Sequence, residues 1–403
     1  MSIALRTQAH RGEAQARGVS RAVCVCLLWG IAACSNASGA PPSGAAGAAG
    51  HPPVANPGSV SGGTIGPVTS LAVGNGSACV IAAGGSVYCW GNNQQGELGD
   101  GTNSSSAAPV PVTGLSSGVT AVGTNGPACA LTEAGGVLCW GTGALGNGTS
   151  GESNVPVQVV GLESGVTAIG VGPISGCALV ADGGVRCWGL NVLEPEAVTG
   201  LAGPITAISV GLYACGVTSA GGVDCWGQLP GDGSSPVASH VLNLPGAATS
   251  VAAGFLSSCA IIEGGSVVCW DGLGDQSGKS DSASWIAGGS LSPAPVENLA
   301  RGVTAVAVGN SDACAILGGG SVSCWGYSLF GLGDGTTANS MTPVQVTGLT
   351  NGVAAVAVGT HSSCAITADG GVSCWGGNDG GKMFGPNNTK TTLAAVPIQV
   401  IAP

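Results

Sequence analysis

From Pro67 onward the chain runs as short apolar stretches separated by glycine-rich polar ones. A single unit shows the plan. Gly352–Gly359 is apolar at nearly every position, Ser363–Thr367 follows, Ala368-Asp369-Gly370-Gly371 makes a bend, and Val372–Trp375 continues. A polar loop then leads to a fourth stretch, of the kind seen in Pro343–Val346. Short Val- and Ala-rich runs broken by Gly and Asp predict β-strands. A first strand that is continuously apolar rather than alternating predicts a sheet covered on both faces.

Cysteines reveal that this unit recurs. Fourteen of the 17 fall into pairs at one spacing: Cys79 and Cys89, Cys129 and Cys139, Cys177 and Cys187, Cys215 and Cys225, Cys259 and Cys269, Cys314 and Cys324, Cys364 and Cys374. A Trp follows every second member, and successive Cys-Trp sites are 50, 48, 38, 44, 55 and 50 residues apart. A period in that range marks a propeller or solenoid. Seven four-strand units fill residues 67–403, and a closed ring of blades leaves only short, protected edges. Residues ten apart oppose each other across a hairpin when its loop holds an odd number of residues. The expected turn is three residues, a type I turn followed by Gly in the left-handed region. Every unit has adjacent glycines there, from Gly84-Gly85 to Gly370-Gly371. Opposed strand residues lie within disulfide reach, so one disulfide per blade is expected, with free buried thiols as the competing arrangement. Zinc is disfavoured because closely spaced Cys-x2–4-Cys knuckles are absent from the repeats. Each Trp, pointing away from its neighbouring Cys, is expected to pack blade against blade, and small Ala and Gly side chains to let the blades converge on the axis.

Upstream of the repeats the chemistry changes. Arg6, Arg11, Arg17 and Arg21 precede the apolar run Ala22–Ala33, too short to span a bilayer and of the form of a secretory signal. It ends in Ile31-Ala32-Ala33-Cys34, which resembles the lipobox of bacterial lipoproteins and marks Cys34 for lipid attachment. Residues 1–33 are thus expected to be a signal peptide. Residues 34–66, rich in Ser, Gly, Ala and Pro, are expected to be a disordered tether. Charged residues make up only 7% of the chain, against about 25% in an average soluble domain. Without Arg6, Arg11, Arg17, Arg21 and Glu13 the net charge is −14. Such a body does not neutralise phosphates, so nucleic acid is not an expected partner.

Two stretches carry a family resemblance. Val353–Gly376 reads VAAVAVGTHSSCAITADGGVSCWG, and Trp90–Thr102 reads WGNNQQGELGDGT. Both resemble the regulator-of-chromosome-condensation repeat, a family that forms seven-bladed propellers. The fold class is therefore all-β, a propeller of four-stranded antiparallel blades. The resemblance is less specific for function: the nuclear founder is a guanine-nucleotide exchange factor on chromatin, plant relatives sense ultraviolet light, and a bacterial relative inhibits β-lactamases. Here the basic chromatin tail and the photoreceptors' Gly-Trp-Arg-His-Thr run are missing. The third unit lacks the Gly-x-Leu-Gly-Asp-Gly-Thr loop, the fourth is short, and the fifth carries an insertion from Gly272 to Pro293.

Catalytic motifs are scarce. His240 and His361 are the only repeat-region histidines, and His361 is read as structural because it holds the family's usual position before the second strand. Asp100 and Asp334 are read as turn formers, since the alternating ligands of a calcium loop are absent. No enzyme, metal or cofactor is expected. Within the repeat region, excluding the Cys-Trp residues and Tyr88, six aromatics remain: Tyr213, Phe255, Trp285, Tyr327, Phe330 and Phe384. All six map to loops between strands one and two or three and four, which share one rim. That rim is expected to bind a protein or polysaccharide partner, with Trp285, Tyr327 and Phe330 as anchors. The expectation is a monomeric binding protein, held to the bacterial outer membrane or cell surface through Cys34. The alternatives are a secreted hydrolase inhibitor and, by family analogy, an exchange factor.

Overall fold

A computed structural model describes residues 65–189, 192–227, 237–271 and 292–403. The signal segment, Cys34, the tether through residue 64 and Trp285 lie outside the described residues. The fold is a seven-bladed β-propeller. Each blade is an antiparallel meander in which consecutive strands are hydrogen-bonded neighbours. Blade 1 comprises Val68–Val73, Ser77–Ala82, Ser86–Gly91 and Ser106–Pro111. Blade 7 comprises Val353–Val358, Ser362–Thr367, Val372–Gly377 and Leu393–Ile401. Blades 2 to 6 begin at Val119, Val166, Ile205, Ala248 and Val303.

Each blade holds one disulfide, as the cysteine spacing predicts. Cys79 is bonded to Cys89, Cys129 to Cys139, Cys177 to Cys187 and Cys215 to Cys225. In the last three blades Cys259 is bonded to Cys269, Cys314 to Cys324 and Cys364 to Cys374. The free-thiol arrangement is thus excluded for all fourteen. Cα–Cα separations are 4.0–4.1 Å, because the bonded residues are directly opposed in the second and third strands. Each bridge closes a short loop and contributes roughly 1–3 kcal/mol.

Cys and Trp are adjacent in the third strand and so point to opposite faces. The disulfide of blade 1, through Cys89, therefore packs with Trp140 of blade 2, and that of blade 2, through Cys139, with Trp188. The pattern runs on through Cys187, Cys225, Cys269 and Cys324, each clustered with the Trp of the following blade. It closes at Cys374 of blade 7, which packs with Trp90 of blade 1. Each of the seven hydrophobic clusters is shared between two blades.

The hairpins depart in part from expectation. In blades 2, 3, 4 and 7 the first glycine of the pair alone has positive φ, at Gly135, Gly183, Gly221 and Gly370, as a type I turn with a left-handed third loop residue requires. In blades 1, 5 and 6 two successive glycines do, Gly84-Gly85, Gly264-Gly265 and Gly319-Gly320. Positive φ at the second turn residue excludes type I and fits type II. Every first strand also carries a β-bulge near its start. In six blades the extra residue is a Thr, from Thr69 to Thr304, whose hydroxyl donates to a second-strand carbonyl. In blade 7 it is Ala354.

First strands line the axis and touch their neighbours all round, blade 7 against blade 1 included. Their ends converge on Gly74, Gly172, Gly211, Gly254, Gly309 and Gly359, with Asn125 in the equivalent place in blade 2. A Cβ on Gly359 would lie 2.5 Å from the Gly74 carbonyl oxygen, and one on Gly309 would lie 2.6 Å from that of Gly359. No strand is exchanged at the closure: blade 1 is built wholly from the start of the repeats and blade 7 wholly from their end. The seam instead repeats contacts of the interface between blades 1 and 2. Val68 N–H donates to the Gly370 carbonyl (3.2 Å), as Val119 N–H does to Gly85 (3.1 Å). Trp90 Nε1 donates to the Met383 carbonyl (3.1 Å), as Trp140 Nε1 does to Glu97 (3.0 Å).

Gly359 has no positive φ to preserve, so adding a methyl there acts by steric contact alone. Gly359→Ala is expected to lower unfolding stability by about 1–3 kcal/mol, while Gly203→Ala, with nothing within 4 Å of its added Cβ, stays within about 0.5 kcal/mol. Chemical denaturation of the oxidised protein measures both, and equal effects would remove the axial packing argument.

Candidate functional site

The two rims differ in chemistry. On one, the hairpin turns and blade-to-blade connections present short glycine bends. Among the described residues, the one-to-two and three-to-four loops on the other carry Tyr213, Phe255, Tyr327 and Phe330 together with three depressions, whereas the glycine-bend rim has one of about 360 Å³ beside His240 and Leu242. The axial depression, about 170 Å³, takes one segment from each blade, including Asn75, Asn125, Pro173, Leu212, Phe255, Asn310 and Thr360. Phe255 is 42% exposed there. A second, about 150 Å³, lies between blades 6 and 7 and is lined by Asp312, Tyr327, Leu329, Phe330 and His361. A third, about 420 Å³, lies over the blade 7–1 seam and contains His361, Asp379 and Lys382 opposite Asn92, Gln94 and Ser105. His361 borders both the second and the third, so these two depressions adjoin at His361 and together span blades 6, 7 and 1.

His361 is thus more than a filler. Its Nδ1 lies 3.2 Å from both carboxylate oxygens of Asp379. The Phe330 ring stands edge-on to the imidazole, centroids 5.2 Å apart. One side of Phe330 rests on Gly377, where a Cβ would come within 3.1 Å of the ring. The absence of a side chain at Gly377 is therefore what seats the aromatic.

Of the other expected rim residues, Tyr213 is half-buried against Gly227, where a Cβ would lie 3.1 Å from the ring. Phe384 requires correction: it is fully buried, in the cluster between blades 7 and 1 that holds Trp90. Its loop is tied down by Asn378, whose Oδ1 accepts the Met383 and Phe384 N–H groups (2.7 and 3.2 Å). Asn93 Oδ1 accepts Leu98 N–H in the same way in blade 1 (2.9 Å). Leu98 and Leu332, each before a glycine, are likewise fully buried. Phe384, before Gly385, fills the same place, and alignment on that glycine would have found it.

Asp100 and Asp334 form turns as expected, each accepting the backbone N–H of the Thr two residues on (2.9 Å) and its hydroxyl. On the opposite rim His240 Nδ1 pairs with buried Asp224 (2.7 Å), whose other oxygen accepts Ala202 N–H (2.7 Å). This pair ties the fourth strand of blade 4 to the connection from blade 3.

Asp312 was not singled out by sequence reading. It stands two residues before the first Cys of blade 6, where the other blades carry Ser77, Pro127, Ser175, Tyr213, Ser257 and Ser362. That break in an uncharged column was the available signal. Burial in the groove pushes its carboxyl up to about 7, opposed in part by its own backbone N–H.

Regulator of chromosome condensation (RCC1) repeat models match residues 84–124 and 68–97. No curated protein matches the chain in sequence. Among solved structures, yeast RCC1 (Prp20) bound to Kap60 is similar at 18% identity and TM-score 0.65, over 80% of this chain and 85% of that one. Prp20p from Saccharomyces cerevisiae, described with its binding to Gsp1p and histones, gives 18% and 0.58 over 74% and 82%. Human WBSCR16 gives 19% and 0.59 over 73% and 85%. At these identities the likeness establishes the fold.

The raised Asp312 carboxyl has a definite sign. Its ordinary value, which the unfolded chain takes, is 3.8, against about 7 in the fold. Between those values the folded state retains a proton that the unfolded state releases, so stability falls as pH rises through that window. Asp312→Asn keeps the shape and removes the charge. It is expected to change stability by less than about 0.5 kcal/mol near pH 4 and to raise it by about 1–3 kcal/mol near pH 8. Melts at the two pH values measure this, and equal shifts at both would assign the effect to packing.

Proposed function

We propose that this chain, a seven-bladed propeller carrying regulator-of-chromosome-condensation repeats, is an exported binding protein tethered to the cell envelope through Cys34. Its loop rim holds a partner macromolecule. The observation that carries this reading is the segregation of Phe255, Tyr327, Phe330 and His361 to the rim with the axial depression and the groove. Partly exposed aromatics beside pre-formed depressions with a few polar groups are what binding anchors require. The similar yeast propeller is described in complex with, or as binding, other proteins, which favours a protein partner. Seven intra-chain disulfides fit an oxidising, extracytoplasmic compartment. No helix among the described residues is long and apolar enough to cross a membrane. Retention would therefore fall to the lipid, with residues 34–66 as the reach between bilayer and propeller.

Two measurements test the reading. Replacing Phe255, Tyr327 and Phe330 together by Ala is expected to weaken the native partner, recovered by crosslinking on intact envelopes, by at least about 100-fold. Leu242→Ala on the opposite rim, 47% exposed, should leave it unchanged. An unaltered Kd in the triple variant, or equal losses from both rims, rejects the rim. Separately, Cys34→Ala is expected to move the protein from the membrane to the soluble fraction; continued membrane retention rejects the tether.

A further inference from the structure

The groove over blades 6, 7 and 1 has a chemistry that its neighbours lack. Asp312 is the only acid in its column of seven equivalent positions. Its carboxyl shares a depression with Tyr327, Phe330 and His361, and Asp379 lies beyond His361. No lysine or arginine answers Asp312: among the described residues the ion pairs are His240–Asp224 and His361–Asp379. A sheltered carboxylate without a cation is held at a cost that an incoming cation would relieve. The flanking aromatics would cover the aliphatic stem of such a group and attract its charged head. The acidic balance of the chain, −11, steers basic partners towards it.

We infer that this groove receives a lysine or arginine side chain of a protein partner, with Asp312 and Asp379 as its acceptors and Tyr327 and Phe330 as its walls. The inference rests on the rim being the binding face, and it specifies where and by what chemistry that face holds on. Above about pH 7, where Asp312 is ionised, a neutral glycan would leave the carboxylate without a counter-charge, which is why a basic protein segment is favoured. Because no other blade has an acid at this column position, the groove would favour one rotational register of the partner on the ring.

Titration calorimetry of the full chain with defined probes tests this, at about 50 mM salt so that screening does not hide the contact. The probes are hexalysine, hexaarginine, fully acetylated hexalysine and cellohexaose. Hexalysine and hexaarginine are expected to bind with one site per chain, and the two neutral probes not to bind. The paired change Asp312→Asn with Asp379→Asn should weaken hexalysine at least tenfold. Asp100→Asn with Asp334→Asn removes the same charge from the same rim outside the groove and should cost less than about twofold. Should the asparagine at position 312 disturb folding, Asp312→Ser, with the residue carried by blades 1, 3, 5 and 7, serves in its place. Equal losses in the two pairs would mean diffuse attraction and overturn the proposal. So would binding of acetylated hexalysine or cellohexaose as tight as that of hexalysine, or no binding of any basic probe. If the basic probes ignore the groove while the rim alanine variant still releases the native partner, the cation reading falls and the rim reading stands. If the rim variant also keeps its partner, both fall.

Discussion

A cystine and a tryptophan in adjacent positions of one strand must face opposite ways, and this strand geometry organises the molecule. The cystine side of each blade becomes the floor on which the next blade's Trp rests, so every hydrophobic cluster straddles an interface. All seven Trp side chains are buried to within 1%. Removing one would cost on the order of 3–5 kcal/mol, a large fraction of a typical domain's stability. No blade owns a core of its own. The disulfide ties two strands together locally, but folding of the blade needs its neighbours, as in other repeat proteins.

That arrangement concentrates stability in the strands and at the axis and leaves the loops to chemistry. At the axis the constraint is steric, and glycine meets it: first-strand backbones approach so closely that a methyl group would meet a neighbouring carbonyl. At the loop rim, small residues act in the opposite sense, making seats for large ones. Gly377 lies beneath Phe330 and Gly227 beside Tyr213. The aromatics are thus held by backbone positions that the repeat already supplies, and they become fixed rather than swinging features of the surface. Pre-organisation of this kind lowers the ordering cost of binding.

The contrast between what could be read from sequence and what could not follows the same division. Cysteine offsets, double glycines and the Trp that follows each pair recur in every unit, so strand order, disulfide pairing and blade packing were legible. Residues that depend on one blade's departure from the pattern were not. Phe384 looked like a loop aromatic because its loop has lost the Leu-Gly-Asp-Gly-Thr spelling, yet it fills the Leu place and is buried. Asp312 does not stand out in the sequence because its significance comes from what surrounds it, namely Tyr327, Phe330 and His361 from two blades. The paired left-handed glycines of blades 1, 5 and 6 have the same dipeptide as the single ones elsewhere. Their flanking residues differ: a Ser follows the pair in blades 1, 5 and 6, and Val follows it in the others.

Closure without strand exchange gives the groove a further importance. A ring sealed by an exchanged strand has a continuous hydrogen-bonded blade across its join; here the join between blades 7 and 1 rests on the Trp packing that every interface shares and on the indole and backbone bonds also seen between blades 1 and 2. It differs in one respect: no connection among the described residues joins its two blades directly. The other six interfaces are backed by a covalent connection that limits separation, whereas among the described residues the seam is held by non-covalent contacts. Asn92, Gln94 and Ser105 on one side of the groove and His361, Asp379 and Lys382 on the other face each other across this join. A ligand contacting both sides binds the closed ring and loses half its contacts in the open one. By linkage it must therefore stabilise closure by as much as its affinity depends on it.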